Sequence, residues 1–210
     1  MANHVYFTIN VEGIDEEQFN SQIKTETRTA KNWNDEEYTF KAICELEEQP
    51  FMDVGEKLYT EQGYMDNAYD WYCEHVGAKW CNVEECEDNY ISGYSAWRQP
   101  HEMVLNMIEY FARKYDTEVS ATMTYEDEFR NFLGKQYYGT MCDEDGWSAW
   151  EGEYNETDNE ALISTFNERF PDIDTEDDDF DWHEEVEVNG ETIYPSEVLD
   201  EIVDEFWSSC

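Results

Sequence analysis

Apolar and polar positions alternate along residues 4–12, with Val5, Phe7, Ile9 and Val11 on one side and Tyr6, Thr8 and Asn10 on the other. A period of two is that of a half-buried strand. Gly13 ends it. Asp15, with Gln18 three residues on, has the form of a capping box, and it opens a short helix carrying Phe19 and Ile23. Thr25 to Glu37 is polar and predicts a loop. Tyr38 to Leu46 alternates again, with Phe40, Ala42, Cys44 and Leu46 on one side, so the chain opens as β-α-β. Pro50 to Tyr64 is irregular and punctuated by Gly55 and Gly63. Met65, Ala68, Tyr69, Tyr72, Cys73 and Val76 then recur at helical spacing, and Gly77 stands where a C-terminal cap belongs.

Tyr90 to Trp97 predicts another strand. Pro100 opens a helix, because the N–H that proline lacks has no partner in a first turn. Met103, Val104, Met107, Ile108 and Phe111 form its inward stripe. Glu118 to Tyr125 alternates strictly, with Val119, Ala121, Met123 and Tyr125 on the apolar side, and Lys135 to Met141 predicts a further strand. Residues 1–140 therefore form an α+β domain, with helices on one face of a mostly antiparallel sheet.

The pattern continues through residues 141–210. Trp147 to Tyr154 predicts a strand. Thr157-Asp-Asn-Glu160 has the form of a capping box, opening a helix with Ala161, Leu162, Phe166 and Phe170 on one face, stopped by Pro171. Val186 to Ile193 contains Asn189-Gly190, which suits a type I′ turn and sets Val186 opposite Ile193. Ser196 caps a final helix with Val198, Leu199, Ile202, Val203, Phe206 and Trp207 on its apolar face. Only residues 172–184 lack such a pattern and read as a mobile loop.

Charge changes the picture most in this last third. The chain carries 53 acids against 12 Lys and Arg, a formal net charge of −41, and residues 141–210 hold 25 of the acids with Arg169 as their one base. A run like Asp172 to Glu187 in a disordered chain is a solvated tail, but disordered acidic chains are poor in aromatics. Here 16% of residues are Phe, Trp or Tyr. The acids therefore lie on a folded platform. Repulsion of phosphates disfavours direct binding of nucleic acid or an anionic membrane. A basic partner surface, bound metal cations or a high-salt habitat remain as contexts for such a charge. No stretch is apolar enough to span a bilayer, and the first residues lack the charged and apolar blocks of a signal peptide, which implies a cytoplasmic protein.

The motifs of known chemistry fail at defined positions. Asp172-x-Asp174-x-Glu176 starts like a calcium loop, but Asp177 and His183 stand where glycine and glutamate belong. Cys73, His75, Cys81 and Cys86 lack zinc-knuckle spacing, and Cys73 falls on an apolar stripe, so buried thiols are the better reading. His101-Glu102 lacks the second histidine of a zincin helix, because Leu105 stands in its place. No cofactor, metal site or enzyme activity is expected. Trp147, Trp150, Tyr154 and Trp182 sit among the acids and could serve the core or an interface.

Two segments resemble a known family. Gly77-Ala78-Lys79-Trp80-Cys81-Asn82 and Ser95-Ala96-Trp97-Arg98-Gln99-Pro100, followed by Phe111 and Phe132-Leu133-Gly134, resemble the YubB ferredoxin-like domain family of phage and plasmid proteins. That family tends to show Gly-Thr-Lys-Trp and Thr-Ala-Trp-x-x-Pro in this order, and Ala78 and Ser95 depart from it. The resemblance covers residues 1–140. It implies a ferredoxin-like fold and a mobile-element origin, and it carries no catalytic residues.

Residues 141–210 are expected to be an acidic subdomain with the chemistry of a DNA mimic. Twelve helical residues span roughly 18 Å, so five carboxylates give about one charge per 3.6 Å, against about one phosphate per 3.4 Å of a DNA strand. In composition the chain is similar to antirestriction DNA mimics. The expected function is inhibition of a host defence protein of restriction, CRISPR or related type, by occupying its DNA-binding surface. The expected partner-binding residues are Asp177, Asp178, Asp179, Asp181, Glu184, Glu185, Glu187, Glu197, Asp200, Glu201, Asp204 and Glu205. A homodimer would lengthen the charged track. The alternative is an acidic module for a partner that does not bind DNA.

Overall fold

The protein is described by a computed structural model. Residues 3–22, 24–31, 37–44, 73–79, 81–177 and 180–209 are described, with the backbone alone for 24–31 and 37–44. The irregular stretch expected over 50–64, and the expected helix before residue 73, lie outside them.

Six strands form one antiparallel sheet in the order β4-β5-β1-β6-β7-β8. They are β1 (His4–Glu12), β4 (Cys81–Glu87), β5 (Tyr90–Ala96), β6 (Ser120–Asp127), β7 (Leu133–Asp143) and β8 (Gly146–Thr157). β1 lies in the middle, with Phe7 opposite Gly93 of β5 and Tyr125 of β6. Helix α1 (Glu16–Gln22) follows β1, and α2 (His101–Tyr115) crosses from β5 to β6.

The alternation foreseen in β1 and β6 sets the core. Val5, Phe7, Ile9 and Val11 are buried with Val119, Ala121, Met123 and Tyr125. Met103, Val104, Met107, Ile108 and Phe111 of α2 close over them, and Phe111 stacks on Phe19 of α1 at 5.5 Å. Both helices therefore cover one face. The opposite face carries Tyr6, Thr8 and Tyr94, and none of these is buried.

Several expectations are corrected. The polar stretch after α1 contains strand β2 (Lys24–Lys31), which pairs with β3 (Glu37–Cys44) in a separate two-stranded sheet. The opening is thus not a β-α-β unit feeding one sheet. Threonines at 25, 27 and 29 supply β-branched residues without the apolar alternation that marks a strand. β4 escapes periodicity because its register shifts between Val83 and Glu85, a bulge that breaks the period of two. The boundary at 140/141 falls inside β7, and β8 extends the same sheet to Thr157.

Beyond β8 come α3 (Asn159–Arg169), the hairpin β9 (Val186–Val188) and β10 (Glu191–Ile193), and α4 (Pro195–Ser209). Asp158, not Thr157, caps α3, its carboxylate accepting from the Ala161 N–H at 2.8 Å. Thr157 is spent as the last residue of β8. α4 begins at Pro195, one residue before the expected cap, and the Tyr194 carbonyl accepts from the N–H groups of Glu197 and Val198. The hairpin has the expected register, Val186 opposite Ile193, with Asn189 and Gly190 both at positive φ as a type I′ turn requires.

A second core forms here. Leu162 and Phe166 of α3 and Ile202 and Val203 of α4 are buried together with Leu133 of β7. Leu133 alternates with Gly134, which faces Tyr125, so it stands on the sheet face opposite α1 and α2. It is the peg on which the acidic unit is seated. Leu133→Ala should cost about 2–5 kcal/mol, the range for a fully buried leucine. Urea unfolding checks this; a loss below about 1 kcal/mol would remove Leu133 from that role.

Candidate acidic interface

On α4, Glu197, Asp200, Glu201, Asp204 and Glu205 fall at i, i+3, i+4, i+7 and i+8, which places them on one face. All five are exposed, while Ile202 and Val203 point into the second core. Amphipathic spacing therefore fixes where the carboxylates stand.

The run after α3 is not tail-like where it is described. Ile173 N–H donates to the Phe170 carbonyl, Phe180 N–H to Asp177, and Ser196 N–H to Trp182. Asp174 and Asp181 accept from the N–H groups two residues on, at 3.1 and 2.9 Å. Such Asx turns are why aspartate fits this chain path. Trp182 packs edge-on against Phe166 and against Phe180, each at 5.1 Å. Over its described residues the expected mobile loop is thus a series of hydrogen-bonded turns docked by aromatic side chains.

Asp177, Asp181, Glu184, Glu185 and Glu187 are exposed along this run and the hairpin. Asp178 and Asp179 lie outside the described residues. Asp172, Asp174, Asp177 and Glu187 line a cleft of about 420 Å³ with Ile173, Phe180 and Val186. No group of three His, Cys, Asp or Glu among the described residues is placed to hold a metal ion.

The acids are not all unpaired, as the scarcity of bases had implied. Arg130, from the turn between β6 and β7, donates through Nη2 to Asp200 at 2.8 Å and through Nε to Glu126 at 2.8 Å. Arg169 of α3 grips Glu205 with both terminal nitrogens, and the Tyr194 hydroxyl donates to Glu185. The Arg169 hydrogen bond holds the Glu205 carboxyl below its ordinary pKa. A depressed carboxylate pKa means that this tie between α3 and α4 is present above the ordinary value and lost as pH falls through the lowered one. Glu184, Glu187, Glu197, Glu201 and Asp204 have no ion pair among the described residues. They are among the open charges of this surface.

The turn that supplies Arg130 is built around Asp127. Its carboxylate is buried, and it accepts from Asn3 Nδ2 at 2.9 Å and from the N–H groups of Phe129 and Asn131 at 3.1 and 3.2 Å. A charged acceptor with several donors is the arrangement that makes a buried carboxylate tolerable. Sequence reading passed over Asp127 because one more acid is invisible among 53.

The four ambiguous aromatics divide. Trp182 belongs to the second core, and Trp147 packs on the first while its Nε1 donates to Asp116 at 3.0 Å. Trp150 lies against Tyr137 at 5.8 Å and remains 42% exposed, and Tyr154 is exposed on the same edge strand. Cys81 is buried on β4 and Cys86, further along the strand, packs against the first core, and burial pushes both thiols up, Cys86 to about 12.

The two segments that carry the family resemblance meet in space. Lys79 Nζ sits 4.4 Å from the centre of the Trp97 ring. The Met103 N–H donates to Val76, and Asn106 Nδ2 donates to the His75 carbonyl at 3.0 Å. Gly77 has φ +85°, and a Cβ there would lie 3.0 Å from the His101 ring. The motif is therefore a joint that locks residues 73–79 against the start of α2. Comparison with protein-family models, curated proteins and solved structures finds no match to this chain.

Replacing Asp127 with alanine leaves four donors, Asn3 Nδ2, the N–H groups of Phe129 and Asn131, and Asn131 Nδ2, without their acceptor and should cost about 2–4 kcal/mol. Equilibrium unfolding measures it, and a cost near zero would mean that the turn is held by something else.

Proposed function

We propose that the chain is a non-enzymatic DNA mimic, of phage or plasmid origin, that inhibits a DNA-binding host defence protein of restriction, CRISPR or related type in the host cytoplasm. The observation that carries the reading is the open face of α4, with Glu197, Glu201 and Asp204 exposed and without ion pairs among the described residues, over a buried apolar stripe. Exposed carboxylates held on a folded surface can meet Lys and Arg side chains placed to contact DNA. A net charge of −41 would also steer a basic partner inward at long range.

The ferredoxin-like, YubB-type reading of the scaffold belongs to the same proposal. It is supported by the order β4-β5-β1-β6 with α1 and α2 on one face, and by the joining of the Lys79 and Trp97 segments. Among the described residues no helix is long and apolar enough to cross a membrane.

Capture of the partner from host lysate supplies the target for the test. Binding should weaken steeply as salt rises, and a duplex carrying the partner's own site should displace the protein. Substituting Glu197→Gln, Glu201→Gln and Asp204→Asn together should raise Kd about tenfold or more. Salt-insensitive binding that duplex DNA leaves intact would favour the other class, an acidic module for a partner that does not bind DNA.

A further inference from the structure

The sheet face that α1 and α2 leave open carries a second feature beside the acidic helix. Tyr6 of β1 stands opposite Tyr94 of β5 and Glu126 of β6. His4, Tyr6 and Tyr94 form a ring cluster, with centroids 4.9 Å apart for His4 and Tyr94, 6.2 Å for Tyr6 and Tyr94, and 6.3 Å for His4 and Tyr6. Tyr6 is 50% exposed. The turn held by Asp127 borders the cluster, because its Glu128 N–H donates to the His4 carbonyl at 2.8 Å. That turn presents Phe129, which is 64% exposed, and Arg130.

This patch is continuous with the acidic face. Glu126, the cross-strand neighbour of Tyr6, shares Arg130 with Asp200 of α4. The rings sit on two central strands, so their positions are set before any partner arrives. Preorganised aromatic side chains at the edge of a charged surface are what hot spots are made of.

Which partner group fits is decided by charge. Rings set among carboxylates in a chain of net charge −41 attract a cation, and a planar guanidinium stacks on tyrosine and phenylalanine faces better than a strongly hydrated ammonium does. Arg130 shows that a guanidinium is accepted beside these carboxylates, bridging Glu126 and Asp200 at 2.8 Å each.

We propose that Tyr6, with the His4–Tyr94 pair behind it, and Phe129 form an arginine-reading platform, on which guanidinium groups of the basic protein partner stack while its other bases meet the carboxylates of α4. The inference rests on the acidic-interface reading and adds to it a preference for arginine over lysine, which charge alone does not create.

Nona-arginine and nona-lysine peptides separate the two, since they carry the same charge. The full chain is titrated with each, following aromatic ring resonances by NMR and affinity by calorimetry. Nona-arginine should bind about fivefold tighter or more, shifting the Tyr6 and Phe129 ring signals, as expected for two exposed cation–π contacts. Tyr6→Ser and Phe129→Ser should abolish that preference with nona-lysine affinity unchanged, and Tyr6→Phe should keep it. Neutralising Glu197, Glu201 and Asp204 should weaken both peptides alike. Equal affinities, or shifts confined to α4, would overturn the platform while leaving the acidic interface standing. Binding of neither peptide would sink both. Saturable binding of a short oligothymidylate at Tyr6 would overturn the platform in favour of a nucleic-acid face.

Discussion

Self-repulsion is the constraint under which this chain folds. With 53 acids and 12 bases, every element that carries carboxylates must be fastened by something other than charge. The fastening is apolar. α4 holds its acids outward because Ile202 and Val203 are buried against Leu162, Phe166 and Leu133. Five such side chains contribute roughly 1.5–3 kcal/mol each by transfer from water. Without the second core the acidic third would be the tail that its composition suggests.

Two of the bases are spent at joints. Arg130 reaches from the sheet to Asp200 on α4, and Arg169 ties α3 to Glu205. Each pair is partly exposed, so neither contributes much to stability by itself. What they do is fix geometry. They settle which carboxylates are neutralised within the molecule and which are left for a partner. The open charges and the open aromatic face then lie side by side, joined through Glu126, Arg130 and Asp200.

Much of this was legible in the sequence, and the misses have physical causes. Strict alternation gave the buried faces of β1 and β6, helical spacing gave the stripe of α2, and Asn189-Gly190 gave a hairpin in the right register. Periodicity failed where no apolar alternation exists, in threonine-rich β2, and where a bulge interrupts it, in β4. Most of the nominated acids could be placed as exposed, but not their pairing, because Arg130 comes from a turn seventy residues earlier in the chain than Asp200. The Tyr6 patch was passed over for a related reason. An outward tyrosine on an alternating strand is ordinary until its cross-strand neighbours are known to be Tyr94 and Glu126.

The central claim is that the open carboxylates of α4 take the place of DNA phosphates. A structure of the complex with the captured host protein tests it most directly. The account predicts that Glu197, Glu201 and Asp204 lie against the Lys and Arg side chains with which that protein contacts its DNA. It would be contradicted by a complex in which the α4 face looks into solvent while the partner's DNA-binding surface stays open.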